Sequence, residues 1–314
     1  MATFDEITAK VETTFNECMN NNTRPWLTSF RRKIYVNTVI GQMLESLFFQ
    51  LCEEFRVEQF IECGAHDAYA ARLIKAKMQE ANVVAYEANP FVHKNYRNLV
   101  EASGVTYLNS AVSDSDETLI FVLKEKDTKS WSSEGYIPQN QEELPLNGFR
   151  VPCTTLDAEL DGRLKEISTA LWVDVEGSNR RLIRGATYFF KHIKTQLLYI
   201  ETQVERVWED EFVAAELCIE LKKFGLVPLV RDWPYHWGCN ILFVHESLIG
   251  DTVPFLNQYL EKVAVAKISH LPPLNIMNLL RRIKRAILRY VPKILHTYVH
   301  KVAAFLGSKS SADL

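Results

Sequence analysis

The sequence lacks paired cysteines, long apolar runs and a complete G-x-G-x-x-G motif, and each absence excludes a class of protein. Its six cysteines are scattered without a C-x-x-C pair, which argues against a disulfide framework or a zinc site. We expect no signal peptide and therefore a reducing, cytoplasmic setting. No apolar run is long enough to span a bilayer. The missing glycine motif disfavours a nicotinamide-dependent oxidoreductase, because the pyrophosphate of a dinucleotide would lack its usual cradle.

Acidic residues are almost absent from the end of the chain. Residues 262–314 carry 10 Lys and Arg against 1 acid, whereas residues 1–261 carry 26 against 38, so their net charges are +9 and −12. Within this tail, residues 275–306 place apolar side chains at helical spacing among basic ones, which is typical of membrane-surface or partner-docking helices. We expect packing on the acidic core or within a homo-oligomer, with a membrane surface as the alternative. Nucleic acid is not expected, because no base-reading motif accompanies the charge.

The composition that remains is that of a globular α/β protein. Hydrophobic residues make up 47% of the chain and charged residues 24%. Residues 1–56 predict a helical N-terminal arm, residues 57–250 a core of alternating strands and helices, and residues 251–314 a basic amphipathic helical extension. Such alternation predicts a mostly parallel sheet covered on both faces, with an antiparallel edge. The strands predicted in the core are 60–63, 83–87, 105–110, 118–123, 150–153, 170–175, 196–202, 226–230 and 239–245. The helices predicted in the core are 68–81, 90–102, 156–165, 179–192 and 209–224.

The first strand of this core ends in a turn suited to a nucleotide-like ligand. Glu62 lies near the end of the apolar strand, Gly64 and Ala65 are small enough for a ligand to approach the backbone, and His66 lies inside the turn. The second strand ends in Glu87, about 20 residues after the glycine, where a carboxylate can accept both hydroxyls of a ribose. An adenosine ligand without phosphates suits this pattern better than a dinucleotide.

Acidic residues also end two later strands. Asp174 follows the apolar run 171–173 and precedes Glu176 and Gly177, while Glu201 ends the next strand. The carboxyl ends of parallel strands meet at one edge of a sheet, so these acids should lie close together. Their burial and mutual repulsion should raise at least one pKa toward that of a general base. The alternative is structural, with an acid capping a neighbouring backbone or pairing with a nearby arginine.

Aromatic residues concentrate in two connecting segments. The loop 124–149 is too long for a simple connection and carries Trp131 and Tyr136, which indicates a substrate-facing or lid loop, or else a disordered insertion. The turn before the last strand places His236 among aromatic neighbours, where it could act as a base, join a sugar-stacking platform or simply pack. The nearby residues of this turn are Tyr235, Trp237 and Asn240.

Five segments, in order and register across residues 57–245, resemble the FkbM family of S-adenosylmethionine-dependent methyltransferases. They are residues 60–67, 85–90, 109–114, 154–157 and 173–177. The resemblance implies a Rossmann-like class I methyltransferase fold with a seven-stranded sheet. It also implies transfer of a methyl group from S-adenosylmethionine to a hydroxyl, often of a sugar or natural product. The sequence departs from the family pattern at Glu62, where Asp is usual, at His66, where Asn is usual, and at Ala68, where Gly is usual.

The resemblance also implies roles for individual residues. Those expected to contact the cofactor are Glu62, Gly64 and Ala65 at its methionine end, Glu87 at its ribose, Ser110 and Ala111 near its adenine, and His66, Ala88 and Asp174. We expect Asp174 to act as the general base, with Glu176 or His236 as rivals, because a positioned base assists a poorly nucleophilic sugar hydroxyl. Those expected to bind the acceptor are Trp131, Glu201, Tyr235, Trp237 and Asn240.

Other readings of the same residues lead to different functions. A divalent metal bridging Asp174, Glu201 and sugar hydroxyls would suit hard oxygen ligands, but we do not favour it and assign no metal ligands. A non-catalytic cofactor-binding scaffold or regulatory subunit, assembled through its helical arms, is the alternative function. Methylation of nucleic-acid amino groups is disfavoured, because the reacting strand end carries Asp-Val-Glu-Gly. The basic tail predicts a glycolipid or lipid-linked glycan as acceptor, and an enzyme lying peripherally at the inner face of the membrane.

Overall fold

Strands and helices alternate along the chain and build a central sheet with helices on both faces. The computed structural model describes residues 30–123, 135–158, 167–193, 195–208, 211–232 and 238–269, with side chains described between residues 40 and 263 of these ranges. The chain divides into two compact units, Met1–Ala264 and Val265–Leu314, and the sheet and the site described below belong to the first.

Seven of the strands in the described residues form the main sheet. In chain order the strands are β1 (Gln59–Cys63), β2 (Asn82–Tyr86), β3 (Thr106–Leu108), β4 (Ala111–Val112), β5 (Leu119–Leu123), β6 (Gly135–Tyr136), β7 (Gly148–Val151), β8 (Cys153–Thr154), β9 (Thr169–Val173), β10 (Thr195–Gln203), β11 (Leu226–Arg231) and β12 (Gly238–His245). The main sheet has the order β3-β2-β1-β9-β10-β12-β11. Strand β12 runs antiparallel to β10 and β11, and the other neighbours are parallel. This order confirms the predicted seven-stranded, mostly parallel sheet with an antiparallel edge.

The described residues also form seven α-helices. In chain order they are α1 (Phe30–Glu54), α2 (Tyr69–Lys77), α3 (Pro90–Ala102), α4 (Asn179–Arg184), α5 (Thr187–His192), α6 (Ala214–Lys222) and α7 (Ile249–Ser269), with a short 3-10 helix at Glu246–Leu248. Helix α3 begins where Asn89 accepts hydrogen bonds from the N–H groups of Phe91 and Val92, at 3.0 and 3.4 Å, and Pro90 occupies its first turn. An Asn cap followed by proline is a strong start signal, which is why the predicted bounds of this helix are correct.

The helix predicted over residues 179–192 is two shorter helices, α4 and α5. Gly185 lies between them with its backbone against Ser113, and an added Cβ at Gly185 would come within 1.9 Å of the Ser113 carbonyl oxygen. Asp157 accepts hydrogen bonds from two backbone N–H groups at the start of α5, at 3.1 and 2.6 Å. The close approach at Gly185 coincides with the interruption, and the Asp157 carboxylate caps the second helix.

Two of the predicted strands, 118–123 and 150–153, lie outside the main sheet. They belong to an insertion between β3 and β9, in which β5, β6 and β7 form a three-stranded antiparallel sheet and β4 pairs with β8. The strand predicted over residues 105–110 ends early, at Leu108, and the chain continues into β4. A short apolar run identifies a buried strand but not the sheet that it joins. We call β5, β6 and β7 the inserted sheet.

Alternate residues of the central strands face two separate cores. Phe60 of β1 packs in the core that contains helix α1, whereas Ile61 packs in the core that contains helices α4, α5 and α6. In the first core, the ring of the fully buried Phe48 of α1 lies 5.5 Å from the ring of Trp172 and 5.7 Å from that of Tyr199. Burial on both faces explains why these strands are near-continuous apolar runs in the sequence.

Several predicted features lie outside the described residues. They are the start of the N-terminal arm, most of the helix 156–165, the loop residues around Trp131, the turn 233–237 and the tail segment 275–306. Among the helices that are described, none combines the length and apolarity that a membrane span requires.

Candidate active site

The turns after β1 and β9 are in backbone contact at the carboxyl edge of the sheet. The N–H of Asp174 donates to the carbonyl of Cys63 at 2.9 Å, and an added Cβ at Gly64 would lie 1.7 Å from the Asp174 carbonyl oxygen. Gly64 also has a φ of +80°, which favours glycine. Glycine is therefore required here by the neighbouring turn as well as by its own backbone conformation.

Two residues that lack the conformational freedom of glycine follow in the first turn. His66 and Ala68 have φ values of 47° and 52°, in the left-handed region where L-residues are strained. The hydroxyl of Tyr107 donates to the carbonyl of His66 and helps to hold this conformation. At these two positions the family pattern has Asn and Gly, which tolerate the left-handed region better. The departures of this sequence therefore add backbone strain to the turn.

Glu87, which follows β2, is held by two backbone donors. Its Oε1 accepts from the N–H of Asn89 at 2.6 Å, and its Oε2 accepts from the N–H of His66 at 2.7 Å. Burial outweighs these bonds and raises the pKa of Glu87 to about 7. A carboxylate oxygen can accept a second hydrogen bond, so the ribose role predicted for Glu87 is compatible with this geometry.

Glu62 has a different environment. Its Oε2 accepts from the N–H of Ala71 in the first turn of α2, at 2.7 Å, and burial raises its pKa to about 8. Neither Glu62 nor Ala65 is among the described residues that line the cavity beside Glu87. Glu62 therefore ties the start of α2 to β1, and the cofactor contacts predicted for Glu62 and Ala65 stay predictions.

This cofactor cavity lies at the carboxyl ends of β1, β2 and β9. Its lining includes seven of the predicted cofactor residues, namely Gly64, His66, Glu87, Ala88, Ser110, Ala111 and Asp174. It also includes residues that were not predicted as cofactor contacts, several of them in or beside the inserted sheet, namely Phe121, Gly135, Tyr136 and Ile137. The signal in the sequence that pointed toward them was the long aromatic loop that carries Tyr136.

Asp174 and Glu201 join the cofactor cavity to a second space. Asp174 lines the cofactor cavity, Glu201 of β10 lines a neighbouring cleft, and one oxygen of each carboxyl group lies within 4.8 Å of the other. Burial, together with the charges of Asp174 and Glu176, raises the pKa of Glu201 well above its ordinary value. A protonated Glu201 that donates to Asp174 explains how two acids lie in contact. The acids that end two neighbouring strands in the sequence thus meet in the structure.

The cleft lies between helix α1 and the antiparallel edge of the sheet and has a volume of about 730 Å³. Asp232, directly after β11, accepts from the backbone N–H and the side-chain amide of Asn240, at 2.8 and 2.7 Å. Burial raises the pKa of Asp232 to about 6, and burial with the charge of Asp232 raises the pKa of Glu45. Asn240 was predicted for this surface, whereas Asp232 and Glu45 were missed. Asp232 follows an apolar strand just as Asp174 does, and this pattern was a signal for it.

Asp174, Glu176 and Glu201 bring one carboxylate oxygen each within 4.8 Å of one another. Such a set could hold a divalent cation, because Mg²⁺ and Ca²⁺ prefer oxygen ligands. The shared proton of Asp174 and Glu201 accounts for the same proximity without a metal. The other predicted catalytic and acceptor residues lie outside the described part of the chain, namely Trp131, Tyr235, His236 and Trp237.

The chemistry of the cofactor cavity fits S-adenosylmethionine. Glu87 offers acceptors to ribose hydroxyls, and Val112 and Phe121 offer apolar surface to an adenine ring. The cavity is narrow, about 100 Å³, whereas small-molecule sites usually measure about 300 Å³ or more. Side chains that line it therefore have to shift when a nucleoside enters.

The sequence and the fold were compared with those of known proteins. A family profile described as Methyltransferase FkbM domain matches residues 62–228. A search of curated protein sequences gives no match. Among solved structures, the methyltransferase domain of bacterial CtHen1 aligns with a TM-score of 0.38 and 9% identity, over 65% of this chain and 99% of that one. A 1,6-didemethyltoxoflavin-N1-methyltransferase from Burkholderia thailandensis aligns with a TM-score of 0.33 and 10% identity, over 78% and 91%.

The matched residues include most of the main sheet and both turns of the site. They extend from Glu62 in β1 to Pro228 in β11, more than half of the chain, and so contain the turn at Gly64, the acid Glu87 and the turn at Asp174. The strand order observed here is the one that the resemblance implied. The chain belongs to the FkbM family of S-adenosylmethionine-dependent methyltransferases.

Proposed function

We propose that this enzyme transfers the methyl group to a hydroxyl of a sugar, glycan or glycosylated natural product, with Asp174 as the general base. The observation that carries the proposal is the proximity of Asp174 and Glu201, which bring one carboxylate oxygen each within 4.8 Å of one another. Asp174 lines the cofactor cavity and Glu201 lines the cleft, so the pair lies where donor and acceptor would meet. A base for methyl transfer has to reach the acceptor proton beside the transferred group.

The lining of the cleft supports a polyhydroxylated acceptor. Hydrogen-bonding side chains and flat aromatic faces occur together there, and both suit the alternating hydroxyl and C–H surfaces of a sugar. Its volume of about 730 Å³ is within the range of about 300–1,000 Å³ typical of small-molecule sites. The polar groups that we expect to contact hydroxyls are Gln42, Ser46, Gln50 and Asn240, and the aromatic groups are Phe49 and Tyr69.

In the proposed mechanism the carboxylates move and hold protons. Bound S-adenosylmethionine supplies an electrophilic methyl group, so the protein mainly has to align the acceptor oxygen with it. Asp174 accepts the proton of the acceptor hydroxyl, an assistance worth roughly 10²–10⁴-fold in rate. Glu201 keeps its own proton, because burial and neighbouring charges raise its pKa, and it orients Asp174 through their hydrogen bond. Glu176 and His236 are the rival bases.

The test is the Asp174→Asn variant, which keeps the shape of the side chain and removes the base. We expect S-adenosylhomocysteine affinity to stay near that of the wild type while turnover on a sugar acceptor falls by roughly 10²–10⁴-fold. Asp251→Asn, the same change at an exposed position of α7, is the matched control and should leave both quantities unchanged. If Asp174→Asn turns over as fast as the wild type, Asp174 is not the general base, and Glu176 and His236 are the remaining candidates.

Three further outcomes bear on the alternatives. Turnover that survives a chelator supports the metal-free mechanism, and turnover that needs added Mg²⁺ would give Asp174, Glu176 and Glu201 a ligand role instead. A wild-type protein that binds S-adenosylhomocysteine but methylates no sugar, glycan or glycosylated compound would favour the scaffold. For an acceptor displayed at a membrane, the full chain should sediment with anionic vesicles, and a chain ending near residue 270 should not.

A further inference from the structure

Trp208 lies in a loop that is fastened to the first turn of α4. We call residues 204–213, described except for 209 and 210, the Trp208 loop. Glu211, fully buried, accepts hydrogen bonds from the N–H groups of Val207 and Trp208 at 2.7 and 3.0 Å. The side-chain amide of Asn179 accepts from the N–H of Phe212 at 2.7 Å and donates to its carbonyl at 3.0 Å. These bonds hold the backbone at Val207, Trp208 and Phe212, and so they fix the position from which the Trp208 indole projects.

The indole of Trp208 covers the turn that carries the catalytic acids. An added Cβ at Gly177 would lie 2.3 Å from two of the ring atoms, so the ring packs directly on the glycine backbone. Gly177 has a φ of +77° and Glu176 a φ of 42°, so this turn is strained at a non-glycine residue. A turn under strain keeps its conformation when its surroundings hold it, and the Trp208 ring is part of those surroundings.

The same indole stacks on a residue of the cofactor cavity. The rings of Trp208 and Tyr136 have centroids 5.1 Å apart and planes inclined by 30°. Tyr136 lines the cofactor cavity, whereas Trp208 is not among the described lining residues. The narrow cavity requires Tyr136 or its neighbours to shift when a nucleoside enters. The Trp208 ring is the contact that such a shift of Tyr136 would break.

We propose that Trp208 is a positioning residue of the cofactor site, which holds Tyr136 over the cavity and thereby slows both entry and release of the adenosyl cofactor. It acts through Tyr136 and through the turn at Gly177, and does not itself touch the cofactor. The inference rests on the cofactor half of the proposed function and is independent of the acceptor.

The experiment measures association and dissociation rates of S-adenosylhomocysteine by stopped flow in the full-length chain. We expect Trp208→Ala to raise both rates by about two- to tenfold, the effect of losing one aromatic pair. Trp208→Phe keeps a ring against Tyr136 and should stay close to the wild type. Val207→Ala, at a 54% exposed position of the same loop, is the control and should leave both rates unchanged.

A rise in both rates distinguishes this role from damage to the site. A variant with a distorted cavity would bind more slowly and release faster, and that pattern, or unchanged rates in Trp208→Ala, would overturn the inference. Trp208→Leu, which fills the space over Gly177 without an aromatic face, serves if the alanine variant does not fold and should show the same increase.

A double variant tests whether the effect passes through Tyr136. Tyr136→Leu should release the cofactor faster, and adding Trp208→Ala should bring little further change, because the stacked partner is already gone. Fully additive effects would overturn the proposed route. Absence of any S-adenosylhomocysteine binding by the wild type would refute both this inference and the proposed function, whereas binding without methyl transfer would refute the proposed function alone.

Discussion

The turn after β1 and the turn after β9 lie side by side, yet the acids near them are held in opposite ways. Around the first turn, Glu62 and Glu87 accept hydrogen bonds from backbone N–H groups. Around the second, Asp174, Glu176 and Glu201 lie close to one another, with one carboxylate oxygen of each within 4.8 Å of the others. Backbone donors hold Glu62 and Glu87 in place, whereas the arrangement of Asp174 and Glu201 depends on their protonation.

In the proposed mechanism, this difference separates cofactor binding from proton transfer within one edge of the sheet. Backbone N–H groups do not titrate, so they hold Glu62 and Glu87 in place, and Glu87, which lines the cofactor cavity, can still accept hydrogen bonds from ligand hydroxyls. The acids of the second cluster repel each other unless one of them holds a proton, and such a pair can receive or give a proton at small cost.

The largest effect is expected from Gly64→Ala, which separates the two turns. The new Cβ would lie 1.7 Å from the Asp174 carbonyl oxygen, on a backbone with φ +80°. Overpacking typically costs about 1–3 kcal/mol and left-handed strain about 1–2 kcal/mol, so we expect unfolding free energy to fall by about 2–5 kcal/mol. Urea denaturation measures this loss.

Gly250→Ala is the matched control for this change. Gly250 lies in the first turn of α7, and an added Cβ there meets no atom within 4 Å. Alanine favours a helix over glycine by about 1 kcal/mol, so stability should stay equal or rise slightly. Equal losses in both variants would show that the backbone contact between the two turns contributes nothing.

The second effect is a pH dependence that Glu201→Gln should remove. The folded protein holds the Glu201 proton at pH values where the unfolded chain has released it, because burial raises the pKa of Glu201 in the folded state. The stability that Glu201 contributes therefore falls as pH rises above the unfolded carboxyl pKa of about 4.3, by at most about 1.4 kcal/mol per pH unit, and this contribution is absent from the variant. In urea denaturation, the free energy of unfolding of the variant should therefore rise relative to that of the wild type from about pH 6 to about pH 8.

Glu261→Gln provides the comparison for that series. Glu261 is exposed on α7, outside the acid cluster, and the same amide replacement there should leave the stability curve parallel to that of the wild type. If the stability curve of Glu201→Gln is also parallel to that of the wild type, Glu201 does not hold the shared proton. The proposed difference between the two turns would then be wrong.

The parts of this site that could be predicted from sequence are those that local order determines. Strands buried on both faces are continuous apolar runs, and parallel strands end at the same edge, so Glu87, Asp174 and Glu201 could be assigned to one crevice. The Asn-Pro pair at the start of α3 likewise fixed its bounds, because capping depends on neighbouring residues.

The parts that were missed depend on contacts between distant segments. The sequence marks Gly64 as a turn residue but not the Asp174 carbonyl that lies against it. The break at Gly185 depends on Ser113, which belongs to another segment. The inserted sheet supplies Phe121 and other lining residues, although its strands resemble those of the main sheet in composition. All three features depend on tertiary packing, which the hydrophobic periodicity of the sequence does not reveal.

The third effect concerns the binding of the cofactor ribose by Glu87. Burial raises the pKa of Glu87 to about 7, and ribose hydroxyls bind the ionised carboxylate better than the protonated one. Affinity for S-adenosylhomocysteine should therefore rise with pH up to about 7 and level off above it, with a slope of at most tenfold per pH unit. Calorimetric titration from about pH 6 to about pH 8 measures this slope.

Glu87→Gln tests whether Glu87 is the source of this slope. The variant should bind more weakly and lose the slope, because glutamine presents one acceptor oxygen and no charge. A slope that persists in the variant would assign the pH dependence to another group of the cavity.

The smallest effect concerns the strain in the first turn. Ala68 has a φ of 52°, whereas Ala71 lies in the helix α2, and both side chains are 0% exposed. Ala68→Gly removes left-handed strain of about 1–2 kcal/mol, which offsets the lost methyl and the added freedom of the unfolded chain. Ala71→Gly loses the same methyl without relieving strain and should cost about 1 kcal/mol or more. Urea denaturation should therefore rank Ala68→Gly above Ala71→Gly by about 1–2 kcal/mol. Equal losses would mean that Ala68 adopts its left-handed conformation without strain, so that the turn after β1 does not need glycine at this position.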